Sequence, residues 1–149
     1  MLEYIDPIAI ADYYLLNIYA ATWDWPNNNW VAARERSADG RFRFYVWDAE
    51  GGFGLYGEKP VDYNILESNL LAQSDENSRV FQDLLKSAEW RLLFADRVHK
   101  HMFNGGAIDD RDLEGSIIRA RKDALVSSFQ PLLRYVHGLT VGEVWYDKW

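Results

Sequence analysis

A chain of 149 residues with 48% hydrophobic and 15% aromatic content holds enough apolar material for one domain and a single core. Its formal net charge of −7 argues against duplex nucleic acid or an anionic membrane as the main partner and suits a basic protein substrate. The lack of cysteine excludes disulfides and thiolate metal sites, and no run approaches the roughly 18 apolar residues of a membrane span. The first six residues, Met1 to Asp6, lack the basic start and apolar run of a secretory signal. The chain therefore reads as soluble, with a signal on a longer parent protein left open. Seven Trp and nine Tyr are unusual at this length, since large aromatics serve both cores and stacking surfaces.

The first predicted element is a helix over residues 7–22. Asp6 supplies an N-cap and Pro7 sits at the first helical position, where its missing N–H costs nothing. Ile5 and Ile10 are spaced for a hydrophobic staple across that cap. Ile10, Tyr13, Tyr14, Ile18 and Ala21 form an amphipathic stripe, which Asn17 interrupts as a partly exposed or back-bonded residue. Residues 30–36 and 41–47 read as two strands. In the second, Phe42, Phe44 and Val46 alternate with Arg41, Arg43 and Tyr45, and Asp39-Gly40 marks the turn between the strands. Residues 49–65 form a glycine-bearing, hydrophobic loop of the kind that folds over a ligand or lies against a neighbour.

The remainder is predicted helical. One short helix covers residues 78–86. Ser87 caps a second with Trp90, Leu93, Phe94, Arg97, Val98, His101 and Met102 on one face, ended by Asn104-Gly105-Gly106. Asp109 caps a third that buries Leu113, Ile117, Ala120, Ala124 and Leu125 and runs to about Phe129, where Pro131 kinks or ends it. The fold class is thus mainly α with a small β-hairpin, in a single domain over residues 1–149.

The chemistry-bearing residues lie around the hairpin. Asp24 opens a Trp-Pro-Asn loop, Asn29 follows five residues later, and Asp48 comes just past the second strand. Protein kinases use that order of parts: an Asp that accepts the substrate hydroxyl proton, an Asn that holds metal, and a further Asp that holds metal against the ATP phosphates. The His-Arg before the first Asp and the Asp-Phe-Gly at the second are both absent. Phosphoryl transfer needs mostly positioning and electrostatics, and Mg²⁺ takes oxygen ligands while keeping several waters, so few protein ligands suffice. Asp24 would orient the attacking hydroxyl. Asn29, or Asn28 with the loop shifted by one, and Asp48 would complete the metal site, with Glu50 assisting. Taken singly, each of these residues also reads as an ordinary turn former.

Tyr14-Leu15-Leu16-Asn17, Asp24-Trp25-Pro26 with Asn28-Asn29-Trp30, and Phe44-Tyr45-Val46-Trp47-Asp48-Ala49-Glu50 together resemble the CotH-type kinase family, relatives of a bacterial spore-coat protein. The likeness continues in Phe94 to Val98 and Lys100 to Gly106 and covers roughly residues 8–125. It implies an atypical kinase that uses ATP and a divalent metal, Mg²⁺, to phosphorylate protein hydroxyls. By the same resemblance Asp24 takes the catalytic-loop role, Asp48 the metal-binding role, and Trp47 helps to wall the nucleotide site. Glu50 stands where the family often shows a second Asp. The N-terminal lobe that supplies a phosphate-pairing Lys has no counterpart here. The expectation is a kinase-like C-lobe fragment, inactive alone, whose partners are a protein substrate and a missing N-terminal lobe.

Other candidates carry less. His99 and His101 lie on different helix faces and read as solvated or packing residues. Asp109, Asp110 and Asp112 read as an acidic first helical turn rather than a calcium loop. Trp145 and Trp149 read as a tail packed on the core, with sugar stacking or docking onto a neighbour as the alternative. The rival for the whole chain is a non-catalytic module in which exposed Trp23, Trp25, Trp30 and Trp47 bind a protein partner or a glycan.

Overall fold

The computed structural model describes residues 3–55, 57, 60, 62–103, 105–109 and 117–137, with side chains over 119–129 in the last segment. Among the described residues, four α-helices and one antiparallel hairpin make up most of the regular structure: α1 (Pro7–Ala20), β1 (Trp30–Ala33), β2 (Arg43–Val46), α2 (Glu76–Leu84), α3 (Ala88–Met102) and α4 (Ile117–His137). The mainly α class with a small β-hairpin is therefore correct. No helix among the described residues is long and apolar enough to cross a membrane.

Helix α1 starts as expected, with the Asp6 carboxylate accepting from the Ala9 N–H at 3.1 Å and Pro7 in the first turn. It is not amphipathic, however. Ile10, Ala11, Tyr13, Tyr14, Leu15, Asn17, Ile18, Tyr19 and Ala20 are all buried, because β2, α3 and α4 pack around it. A helix apolar nearly all round belongs at the centre of a core. Asn17 is fully buried rather than partly exposed and bonds back to the Tyr13 carbonyl at 2.9 Å. The helix stops at Ala20, two residues early, since Ala21 adopts a left-handed conformation (φ 48°) that closes it.

Both strands are shorter than the alternation predicts. Trp30 pairs with Val46 and Ala33 with Arg43, and pairing ends there. Phe42 bonds instead to the N-terminal segment: its N–H donates to the Tyr4 carbonyl at 2.8 Å and its carbonyl accepts from Asp6 N–H at 3.0 Å. Within the turn, a Cβ on Gly40 would lie 2.1 Å from the Glu35 carbonyl oxygen, a contact only glycine avoids.

Further helix boundaries and one turn also depart from the sequence reading. Helix α2 begins before residue 78 because Asp75 caps it, its Oδ1 accepting from Ser78 N–H at 2.9 Å. Leu66–Leu70 forms a π-helical turn that no local signal marks. Helix α3 is capped by Ser87 as expected. Helix α4 does not end at Pro131 but runs on to His137. Ala120 is exposed rather than buried, while Leu125 and Phe129 reach the core. For Asp109, the N–H groups that the expected cap would serve lie outside the described residues. The Asp109 carboxylate accepts from Gly105 N–H at 2.5 Å and pairs with Lys122 at 3.3 Å. Leu113, Asp110, Asp112, Trp145 and Trp149 lie outside the described residues, as does the Ile117 side chain.

Aromatic rings tie the helices together. Tyr14 meets Phe81 edge-on at 4.8 Å, Phe81 meets Phe94 at 5.8 Å, and Phe94 meets Phe129 at 5.7 Å, so one chain of rings crosses all four helices. On the other side of α1, Asp12 takes a two-pronged grip from Arg97 (Nε to Oδ1 2.6 Å, Nη2 to Oδ2 2.5 Å), with His101 Nε2 3.2 Å from Oδ1. His99 stacks on Phe103. Both histidines thus serve packing and pairing, as their spacing predicts.

Candidate active site

The end of α1 and the end of β2 deliver the predicted site residues to one place. Trp30 opposes Val46 in the hairpin register, so the chain leaving Asn29 and the chain entering Trp47-Asp48 emerge from the same end of the ladder. A second tie lies further on. Phe53 N–H donates to the Ala20 carbonyl at 2.6 Å, fixing the segment after Asp48 to the last turn of α1 just before Asp24. Gly52 permits that approach, since a Cβ there would lie 3.0 Å from the same carbonyl oxygen.

Asp24 is exposed while its neighbour Trp25 is buried to 1%. The indole N–H of Trp25 donates to the Tyr13 hydroxyl at 2.6 Å, and Tyr13 also accepts from the Asn77 side chain at 2.9 Å. Tyr14 donates to the Asn77 side-chain oxygen at 2.8 Å. Burial pushes the Tyr13 hydroxyl up to about 12, with the nearby Asp75 charge adding to the shift and the bonds from Trp25 and Asn77 opposing it. With Trp25 pinned inward and Asp24 in a left-handed conformation (φ 53°), the Asp24 side chain is left at the surface. Aspartate and asparagine tolerate that conformation better than other residues do.

The asparagines divide the work. Asn28 Nδ2 donates to Asp24 Oδ2 at 2.9 Å, which orients the carboxylate. Asn29, also left-handed (φ 58°), donates its side-chain N–H to the Trp23 carbonyl at 3.1 Å and bonds to neither aspartate. That use of the amide nitrogen leaves the Asn29 Oδ1 lone pairs available as a ligand.

Asp48 precedes a single 3₁₀ turn, Ala49–Gly51, in the capping position and with φ 57°, yet its side chain makes no capping bond. Its carboxyl is raised above the usual carboxylate value, first by a hydrogen bond shared with Glu50, then by the Glu50 charge, slight desolvation and the Asp24 charge. Asp48 therefore lies within electrostatic reach of Glu50 in its own turn and of Asp24 in the other loop. Among the described residues no group of three or more His, Asp or Glu side chains forms a metal cage of its own. A cation here would complete its shell with water and phosphate oxygens, as Mg²⁺ commonly does.

Trp47 is 65% exposed beside Asp48. The other three tryptophans of the rival reading behave differently. Trp25 is in the core, Trp23 is half-buried, and half-buried Trp30 stacks on Phe44 at 5.7 Å. The four do not form one exposed patch. What the sequence reading missed is the support beneath the site: Tyr13 and Asn77 under Trp25, and Arg121 under the end of α1. Those partners are distant in sequence and carry no local signal.

The sequence profile of the family described as CotH kinase protein matches residues 1–108, and the chain belongs to that family. No curated protein and no solved structure matches the chain.

Proposed function

We propose that this chain carries the catalytic-loop half of an ATP-dependent protein kinase site, in a lobe equivalent to a kinase C-lobe. The observation that carries the reading is the convergence of the Asp24 loop and the Asp48 turn at one end of the hairpin, in a member of a kinase family. Asp24, oriented by Asn28, is the group that holds the substrate hydroxyl and accepts its proton. Its second oxygen, Oδ1, is the one left for that hydroxyl. Asn29 Oδ1, Asp48 and Glu50 are the residues that would hold Mg²⁺, and Trp47 would wall the nucleotide. The donor set fits a hard cation, since it is all oxygen and its carboxylates repel one another until a positive charge is placed between them. Bound Mg²⁺ would supply charge neutralisation at the phosphate oxygens.

The partners proposed are a protein substrate and a further lobe that provides the phosphate-pairing cation. Among the described residues the only sheet is the two-stranded hairpin, so such a lobe is not part of them. The described lobe alone is therefore expected to bind nucleotide weakly and to turn over little. Titration calorimetry of ATP with Mg²⁺ tests the reading. Heat of binding that disappears in Asp48→Asn supports it, and wild-type binding unaffected by that change places the nucleotide elsewhere.

A further inference from the structure

Arg121 is a fully buried cation on α4, outside the span that defines the family match. Its guanidinium donates from Nε to the Tyr19 carbonyl at 2.8 Å, from Nη2 to the Ile18 carbonyl at 2.6 Å, and from Nη1 to the Tyr63 carbonyl. The first two acceptors belong to the last turn of α1, where carbonyls run short of intrahelical partners; that of Ile18 also takes the Ala21 N–H at 3.3 Å. The next carbonyl, that of Ala20, takes the Phe53 N–H, and that of Asn17 takes the Thr22 N–H at 3.3 Å. Four consecutive carbonyls thus bind the start of the Asp24 loop, the segment that follows Asp48, and one guanidinium reaching in from α4.

We propose that Arg121 is a positioning residue for the Asp24–Asp48 site, setting the end of α1 so that the two acidic loops face each other. Three features make the guanidinium suited to this. A positive charge at a helix C-terminus is stabilised by the partial negative charge of the exposed carbonyls. A planar fork addresses acceptors on two chain segments at once, which a lysine ammonium on its flexible stem does not reproduce. Burial costs the cation solvation, so a residue whose task was only to fill volume would be apolar. Burial lowers the Arg121 pKa to about 10, and the cation remains charged at neutral pH. The proposal rests on the kinase reading only in treating the two loops as one site.

The test compares Arg121→Lys and Arg121→Gln in the full chain with Phe129→Leu, a core change on the same helix. Amide exchange of Thr22 and Phe53 should accelerate about tenfold or more in the Arg121 variants, beyond the change at core amides such as Phe94, as expected for a lost charged hydrogen bond. The Asp24 and Asp48 amide resonances should move with them. Phe129→Leu, compared at equal melting temperature, should leave these selective signals at their wild-type values. Equal effects from all three variants, or unchanged Asp24 and Asp48 resonances, would overturn the proposal.

If the Arg121 variants do not fold, wild-type exchange in sub-denaturing urea decides. The Arg121 Nε–H and the Phe53 and Thr22 amides should open as one unit, and release of the arginine without the amides refutes the coupling. None of these readouts needs nucleotide. A wild type that fails to bind Mg²⁺–ATP defeats the kinase reading while leaving the exchange result to judge Arg121. In protein that does bind, Arg121→Lys should weaken Mg²⁺–ATP by about tenfold, the usual effect of losing an outer-shell support, and an unchanged Kd would contradict the positioning role.

Discussion

The Tyr13 hydroxyl accepts the Trp25 indole N–H at 2.6 Å, so a residue in the middle of α1 holds the residue next to Asp24 in the core. Tyr13→Phe leaves the Trp25 N–H and an Asn77 N–H without that buried acceptor, at about 1–3 kcal/mol for each orphaned donor. Thermal unfolding should fall by several degrees, with a shift in tryptophan fluorescence. The same hydroxyl sets an alkaline limit. An unfolded tyrosine loses its proton near pH 10 and the folded Tyr13 near 12, so the unfolded state binds fewer protons in that window and stability falls as pH rises through it. Tyr13→Phe should flatten this slope, leaving the part due to Tyr14, whose pKa burial also raises.

The grip of Arg97 on Asp12 joins α3 to α1. Arg97 is 15% and Asp12 36% exposed at the side chain, so solvent screens the pair only in part. Arg97→Met should cost about 1.5–3 kcal/mol, the range for hydrogen bonds to charged groups. Arg97→Lys should recover little of this, since one ammonium replaces a two-pronged contact. Urea midpoints at constant m-value would measure both.

Asp6 sets an acid limit. Partial burial pulls its carboxyl up, but the Ala9 N–H, the Arg43 hydrogen bond and charge, and the Ile8 N–H together hold it below 3.8. The stabilisation is full above the unfolded value and is lost as pH falls through the depressed folded one. Asp6→Asn keeps a good N-cap and removes the titration, so its stability should fall less than that of wild type as pH drops below about 4. Asp6→Ala should lose about 1 kcal/mol of cap at neutral pH as well. Stability curves across that range check both.

Gly52 governs how closely the Asp48 branch approaches α1. A methyl group there meets the Ala20 carbonyl oxygen at 3.0 Å and the Ala20 Cβ at 3.3 Å, so Phe53 must back away from its bond. Gly52→Ala should destabilise by about 1–3 kcal/mol, as overpacking does. It should also speed exchange of the Phe53 amide before that of the core helices.

Much of the fold was legible because its signals are local. Asp6-Pro7 and Ser87 announce helix starts through bonds three residues away, and the alternation at Phe44 and Val46 announces a half-buried strand. Asp24, Asn29 and Asp48 were legible as an order of residue types along the chain. What supports them was not. Arg121 and Tyr19 are 102 residues apart and Tyr14 and Asn77 are 63 apart, separations at which no spacing rule operates. The burial of Trp25 and the all-round burial of α1 likewise follow from packing, which the composition of α1 leaves open. Helix α4 continues past Pro131 because a helix that loses one internal hydrogen bond still keeps its neighbours' bonds and its packing at Leu125 and Phe129.

The central claim is that the Asp24 loop and the Asp48 turn hold one metal ion with nucleotide. Mn²⁺ added with ATP to isotopically labelled protein tests it most directly, because a paramagnetic ion broadens nearby resonances. The account predicts broadening centred on the amides of Asp24, Asn29, Asp48 and Glu50, abolished by Asp48→Asn, which preserves tolerance of the left-handed backbone there. Broadening centred on another acidic stretch, or none at any of these four residues, would contradict it.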